Sequence, residues 1–433
     1  MFASLKQKII NRKAKIAVIG LGYVGLPLAV CFAQSGFEVL GLDKDEDRVG
    51  KVNRRESYIL DVSKDELTEI VKDGRLKAKT TFNVLKAADV IIICVPTPLK
   101  RKYTPDISFL MEAVKTIVQF CKKGTLIILE STTFPGTTEE LIFPALNKKG
   151  LILDQDFFLS FSPERIDPGN RKFSLNKIPK IVGGLSSQSA ELTKSLYEKI
   201  IEKVIVVSSA KAAEMTKLLE NSFRIVNIGW INEAAMICHR MGIDVWEVIE
   251  AAGSKPFGFM PFYPGLGVGG HCIPEDPLYL YWKARHHGVS SKFIKLAADI
   301  NNQMPYYAVD RLKDILKEAK KQYKKAKILI LGVTYKKGVK DLRRSPALRL
   351  IEILKDDGCL VDYFDPFIPY LKIRDINLRA IKLTKEKISS YDAVIIATAH
   401  SNLDYNFVLQ HAQCIFDTQN IYNKIQNKKI IKL

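Results

Sequence analysis

Apolar residues fall into two patterns along this chain. Short, almost wholly apolar runs mark both ends: KIAVI (15–19), EVLGLD (38–43), VIIICVP (90–96), TLIILEST (125–132) and FFLSF (157–161), then KILILGV (327–333), LVDYFDP (360–366) and AVIIATA (393–399). Strands without polar alternation are those of a parallel sheet covered on both faces. Segments of helical spacing separate them, as at 26–36 and 346–356, which predicts doubly wound α/β domains. The middle differs. AAEMTKLLENSFRIVNIGWINEAAMICHRMG has no proline, and its apolar residues recur at helical spacing on more than one face. Such a helix is buried widely, as a spine between domains or subunits. A proline- and glycine-rich stretch, 253–277, follows, and helices resume to about 320. The predicted fold class is α/β, with a doubly wound domain over 1–205, a central helical domain over 206–310 and a smaller α/β domain over 311–433.

Composition narrows the class. The chain has 433 residues and a net charge of +19, but its basic residues are scattered, with clusters only at 320–327 and in the last residues. Small phosphate-bearing ligands account for that surface, and nucleic acid is not expected. Seven cysteines are spread without a CxxC pair or a zinc spacing, which argues for a reducing compartment and no metal. No apolar run reaches the ~18 residues of a membrane span, and the N-terminus lacks the apolar block of a signal peptide. A cytoplasmic protein is expected.

Gly20-Leu21-Gly22-Tyr23-Val24-Gly25 fits GxGxxG, follows a strand and opens a helix, and Asp43 ends the next strand. This is the Rossmann-like fingerprint: the turn approaches a pyrophosphate, the helix N-terminus attracts it, and the acid accepts from a ribose diol. A carboxylate there repels a 2′-phosphate, so NAD is expected over NADP. Arg48 either covers the adenine ribose or is a plain surface arginine. Thr97, Thr132 and Thr133 follow strand ends, where open α/β sheets place ligands. STTFPG (131–136) would reach a nicotinamide or hold a water, or be an ordinary polar turn.

In GVGGHCIPEDPLYL (267–280), Cys272 is either a reactive thiolate beside a glycine run or a small apolar filler. Asp276 alone would raise its pKa. Lys217 and Asn221 sit at i and i+4 on the long helix, and would either bind an oxyanion or form a solvated stripe. Glu164 lies in the loop SPERIDPGN (162–170), where a solvated glutamate is the ordinary expectation.

Seven stretches in order over about residues 14–425 are similar to one family: IAVIGLGYVGLPLAV, ESTTFPGTTEE, SPERIDPGN, AEMTKLLENSFRIVNI, KPFGFMPFYPGLGVGGHCIPEDPLYL, ILGVTYKKGVKDLRRSPAL and VDYFDP. The chain resembles the UDP-glucose/GDP-mannose dehydrogenases, the nucleotide-sugar 6-dehydrogenases. The resemblance implies oxidation of a sugar C6 hydroxyl to a carboxylate with two NAD⁺ reduced, through a thiohemiacetal and thioester on Cys272. It implies Lys217 as oxyanion stabiliser with Asn221 as companion, Asp276 positioning water and lysine, Glu164 as general base, and Thr133 holding a water. It places Arg165, Phe262, Tyr263, Gly269 and Lys336 at the UDP-sugar and Arg343 near the nicotinamide. It also makes the C-terminal Rossmann-like domain a UDP site and the central helical domain the core of a homodimer. The glycine loop is most like that of members acting on UDP-N-acetyl sugars, with UDP-N-acetylglucosamine first, then UDP-N-acetylmannosamine, UDP-N-acetylgalactosamine and UDP-glucose; surface polysaccharide synthesis is the expected pathway. Departures are Lys255 where some relatives carry an arginine near the loop, Glu275 beside the nucleophile, and Arg344 where many carry glutamate. A two-electron hydroxy-acid dehydrogenase, or a non-catalytic dinucleotide sensor, would need no cysteine.

Overall fold

The apolar runs form two parallel sheets. The computed structural model describes every residue except 60, 101–102 and 166–173, so the second half of SPERIDPGN lies outside the described residues. The chain divides into two compact units, residues 1–220 with 279–289, and residues 221–278 with 290–433.

In the first unit, β1 (Lys15–Ile19), β2 (Glu38–Leu42), β3 (Leu76–Lys79), β4 (Val90–Ile93), β5 (Thr125–Leu129), β6 (Phe157–Phe161), β7 (Lys180–Gly184) and β8 (Val204–Val207) lie in the order 3-2-1-4-5-6-7-8. Only β6 and β7 pair antiparallel. The absence of polar alternation has a direct cause. Ile16, Val18, Ile92 and Ile128 enter one core, and Ala17, Ile19, Ile93 and Leu129 enter another. Each large apolar side chain buried this way contributes about 1.5–3 kcal/mol. A helix at Phe2–Ile10, not expected from sequence, buries Leu5 and Ile9 on the first core. Strand order reverses between β1 and β4, and ligands of open α/β sheets bind at the carboxyl ends of such strands.

The second unit holds β9 (Lys327–Leu331), β10 (Leu360–Phe364), β13 (Ala393–Ile396), β14 (Ile415–Asp417) and β15 (Ile430–Lys432), all parallel, in the order 10-9-13-14-15. A separate antiparallel ribbon joins β11 (Tyr370–Ile373) to β12 (Ile376–Arg379). Ile328 and Ile330 face one core, and Leu329 and Leu331 the other. The helix Lys292–Glu318 packs Met304, Ala308 and Leu312 into the first of these cores. Gly229 lies against it, and a Cβ there would sit 3.0 Å from Ala297 Cα.

The long helix runs unbroken over Ala210–Arg240. Within one chain it is less buried than its pattern predicts: Phe223, Trp230 and Ile237, seven residues apart, and Met241 beyond its end are 47–67 % exposed. Among the described residues, no helix is long and apolar enough to cross a membrane.

Candidate active site

In the first unit, the glycines of the fingerprint do separate jobs. Gly20, at φ +96°, has its Cβ position 2.4 Å from the Cys94 carbonyl oxygen, so the tight turn admits no side chain. A Cβ on Gly25 would lie 1.8 Å from the Gly20 carbonyl oxygen, which fixes how the helix Gly25–Gln34 meets the strand. A Cβ on Gly22 would meet nothing within 4 Å. That room, at the N-terminus of a helix, fits a pyrophosphate. Tyr23 is exposed in this loop and Val24 is half-buried. Asp43 Oδ2 accepts from the Leu21 N–H at 2.8 Å, Oδ1 accepts from the Asp45 N–H at 3.0 Å, and Arg48 Nη1 lies 3.4 Å from Oδ2. Arg48 is therefore tied to the acid rather than being a stray surface cation. The Thr97 hydroxyl donates to the Thr132 carbonyl at 2.6 Å, joining the turns after β4 and β5. Thr133 is 2 % exposed, and among the described residues its hydroxyl has no hydrogen-bond partner. A buried hydroxyl left so is costly unless a water or ligand reaches it.

The turn carrying these threonines is pinned by a residue that the sequence did not point to. Glu214, on the long helix and fully buried, accepts from the Gly136 N–H at 2.5 Å and from the Thr138 N–H and hydroxyl at 2.9 and 2.7 Å. Burial lifts its pKa to about 7 against the pull of those donors. One turn further along, the buried Lys217 donates 2.5 Å to the Glu164 main-chain oxygen, and Glu164 is itself buried. These two are not solvated surface groups. Arg165 grips Glu220 through Nε and Nη2, at 3.3 and 2.6 Å.

In the second unit, Asn221 Nδ2 donates 2.6 Å to Asp276 Oδ2, and both side chains are buried. Cys272 was expected in a loop, but it is the first residue of the helix Cys272–His286 and is exposed. The glycine-proline richness around it signals a loop, yet Pro274 falls in the first turn, where a missing N–H costs nothing. The helix N-terminus favours negative charge at the sulfur or on an oxygen held beside it. Asp276 follows one turn later.

The glycines before Cys272 serve packing more than ligand access. A Cβ on Gly269 would lie 2.6 Å from Tyr335 Cβ, and one on Gly270 would lie 2.9 Å from the Tyr335 ring. The Gly270 N–H donates to the Arg343 carbonyl at 2.9 Å. Two departures noted in the sequence meet each other here: Arg344 Nη2 lies 2.5 Å from Glu275 Oε1, and His271 lies 3.5 Å from Oε2. Burial holds the His271 pKa below its ordinary value against the pull of Glu275. Arg343 is clamped on Asp341 at 2.7 Å, and Lys336 stands in the turn after β9. Phe262 packs edge-on to Phe223 at 5.8 Å, and Tyr263 stacks on Trp246 at 6.0 Å. The site residues thus fall in two sets. Glu164, Arg165, Thr133, Lys217 and the fingerprint belong to the first unit; Asn221, Cys272, Asp276, Phe262, Tyr263, Gly269, Lys336 and Arg343 belong to the second.

Residues 14–201 match the NAD binding domain of the UDP-glucose/GDP-mannose dehydrogenase family, 211–303 its central domain and 329–424 its UDP binding domain. The chain belongs to the UDP-glucose/GDP-mannose dehydrogenase family. Among the members it resembles is the UDP-N-acetyl-D-mannosamine dehydrogenase of Pyrococcus horikoshii, 38 % identical over 89 % of each chain. The solved structure of a UDP-D-ManNAc dehydrogenase from that organism superposes with a TM-score of 0.87, at 34 % identity over 96 % of this chain and 98 % of that one. The UDP-N-acetyl-D-glucosamine 6-dehydrogenase of Pseudomonas aeruginosa is also 38 % identical, over 89 % of this chain and 90 % of its own. Like the family, this chain is an NAD-dependent UDP-sugar 6-dehydrogenase, and the open space at Gly22 with Asp43 beyond it suits that cofactor.

Proposed function

We propose that the chain oxidises C6 of a UDP-N-acetylhexosamine, UDP-N-acetylglucosamine or its C2 epimer UDP-N-acetylmannosamine, from alcohol to carboxylate. The observation that carries this reading is the exposed Cys272 at a helix N-terminus, one turn before the buried Asp276–Asn221 pair. NAD⁺ supplies a hydride acceptor for each of the two oxidations. In the first, Glu164, through a water that Thr133 helps hold, takes the hydroxyl proton as C6 gives up a hydride and becomes an aldehyde. In the second, the Cys272 thiolate adds to the aldehyde, and Lys217 with Asn221 balances the negative oxygen. Loss of a second hydride leaves a thioester. Asp276 positions a water that hydrolyses it, returning the thiolate and releasing the acid. The sum is one sugar alcohol, one water and two NAD⁺ giving one sugar carboxylate, two NADH and three protons.

Support for an N-acetyl sugar comes from the relatives, whose names divide between the two C2 epimers. Counting NADH formed per sugar over a panel of UDP-sugars tests both points. Two NADH with an N-acetyl sugar is expected. C272S should stop after one oxidation, or before it is complete, with overall turnover lost; full turnover by C272S removes the covalent step. A homodimer through the long helix is part of the reading, supported by the apolar row Phe223, Trp230, Ile237 and Met241. W230E should halve the mass seen by light scattering, and an unchanged mass argues against that surface.

A further inference from the structure

Behind Glu164 lies a layer of buried charge that the scheme above does not use. Lys180, on β7, is 8 % exposed at its side chain and stands between two carboxylates. Its ammonium is 2.9 Å from Glu130 Oε2 and 3.8 Å from Glu164 Oε2. Glu130, just after β5, is sealed from solvent, and its other oxygen accepts from the Tyr197 hydroxyl. Lys180 also lies 5.0 Å from the centre of the Tyr197 ring. Burial works against a lysine's charge, but Glu130 and Glu164 outweigh it and hold the Lys180 pKa above its ordinary value. A cavity of about 10 Å³, room for one water, touches Glu164, Lys180 and Tyr197.

Glu164 is felt by groups from other elements. Cys31, on the helix Gly25–Gln34, and Cys94, after β4, are thiols pushed up by burial, Cys31 to about 11, so they stay neutral. Lys217, on the long helix, donates to the Glu164 main-chain oxygen rather than to its carboxylate, and Arg165 is engaged by Glu220. The Glu164 carboxylate shares Lys180 with Glu130.

We propose that Lys180 is a positioning residue for Glu164: it holds that carboxylate in place with an opposite charge, and Glu130 sets how much of the lysine's charge Glu164 receives. This rests on the reading of Glu164 as general base. An opposite charge within about 4–6 Å lowers a carboxyl pKa by about 1–3, and a like charge raises it. Removing the lysine and removing its second acid must then act in opposite directions.

The test is the acid limb of kcat against pH for the full-length enzyme with NAD⁺ and the UDP-N-acetyl sugar it turns over. K180M should move the limb up by about one pH unit or more, with activity recovering at alkaline pH. K180R, which keeps the charge, should stay near wild type. E130Q should move the limb down, and E130Q/K180M should fall between the single variants. NAD affinity, read by fluorescence titration, should change little in any of them. If K180M does not fold, the sign of the E130Q shift and the K180R profile decide. The proposal is overturned if K180M and E130Q leave the limb in place, or move it the same way, while E164Q is inactive. If E164Q turns over like wild type, the general-base reading fails and this proposal falls with it, for a distinguishable reason.

Discussion

The two doubly wound sheets use one backbone device at the same place. In the first, β1 is followed by Gly20, packed against the carbonyl after β4, and the next N–H, of Leu21, donates to Asp43 beyond β2. In the second, β9 is followed by Gly332, φ +81°, with its Cβ position 2.2 Å from the Thr398 carbonyl oxygen after β13. The next N–H, of Val333, donates 2.7 Å to Asp365 beyond β10. What differs is the cover. Gly22 faces open space, whereas the second turn bears Tyr335, against which Gly269 and Gly270 press. Asp43 keeps some exposure; Asp365 is sealed and meets His400 Nε2 at 3.0 Å. The His400 Nδ1 accepts from the Gly338 N–H, so Nε2 carries the proton and donates. One turn is left open for a dinucleotide and the other seats the cysteine segment. Backbone geometry is repeated, and side chains assign the work.

The largest effects should separate the glycines. G20A and G332A each force a side chain onto a carbonyl at positive φ, and each should cost on the order of 4 kcal/mol in chemical denaturation. G22A has space and should cost less than about 1 kcal/mol, yet weaken NAD about tenfold or more by occupying the room for the pyrophosphate. If G22A unfolds the protein, or G332A is tolerated, the two turns are not the same device.

Acidity should distinguish the units next. Glu214, in the first, has its pKa raised to about 7 from 4.5, so its contribution to stability is complete below about pH 4.5 and is lost as pH rises through 7. Wild type should lose about 3 kcal/mol relative to E214Q over that span. Asp365, in the second, is pushed up by burial, but His400 and the Val333 and Phe367 N–H groups prevail and hold it below its ordinary value. Its contribution is present at neutral pH and is lost on acidification below the usual carboxylate range. Urea midpoints across pH, compared with E214Q and D365N, should show these opposite slopes.

Truncating the paired acids comes third. D365A strands buried donors with no access to water and should cost about 2–3 kcal/mol; D43A, which water can reach, should cost about 1 kcal/mol but reduce NAD affinity. Equal costs would mean that the first acid is as structural as the second.

These contrasts explain what the sequence revealed. Strands buried on both faces are apolar throughout, so KIAVI, VIIIC and KILIL were legible, as was the glycine fingerprint. The second turn keeps only the glycine and the aspartate of the first, too little to show as a repeat. Glu214, Lys180 and His400 look like ordinary polar residues, because the partners that make them important lie dozens of residues away: Gly136 for Glu214, Glu130 for Lys180 and Asp365 for His400. Cys272 stood out as a candidate but not as a helix start, since the sequence around it is glycine- and proline-rich.

The smallest effect concerns the Arg344–Glu275 pair, which has no counterpart in the first unit. Glu275 is buried and Arg344 half-exposed, so removing the arginine leaves a carboxylate without its nearest cation three residues from Cys272. R344A should raise the pH at which Cys272 becomes reactive, since an uncompensated negative charge disfavours a thiolate. It should slow alkylation of Cys272 at pH 7 by about threefold to tenfold, roughly 1 kcal/mol. E275Q should undo most of this in the R344A background while changing little alone. His271 cannot replace the lost cation, because burial keeps its pKa low, and H271A should leave the alkylation profile of R344A unchanged. If instead R344A and R344A/E275Q alkylate alike, Arg344 acts by bracing the Gly270–Arg343 contact, and its charge is incidental to the sulfur.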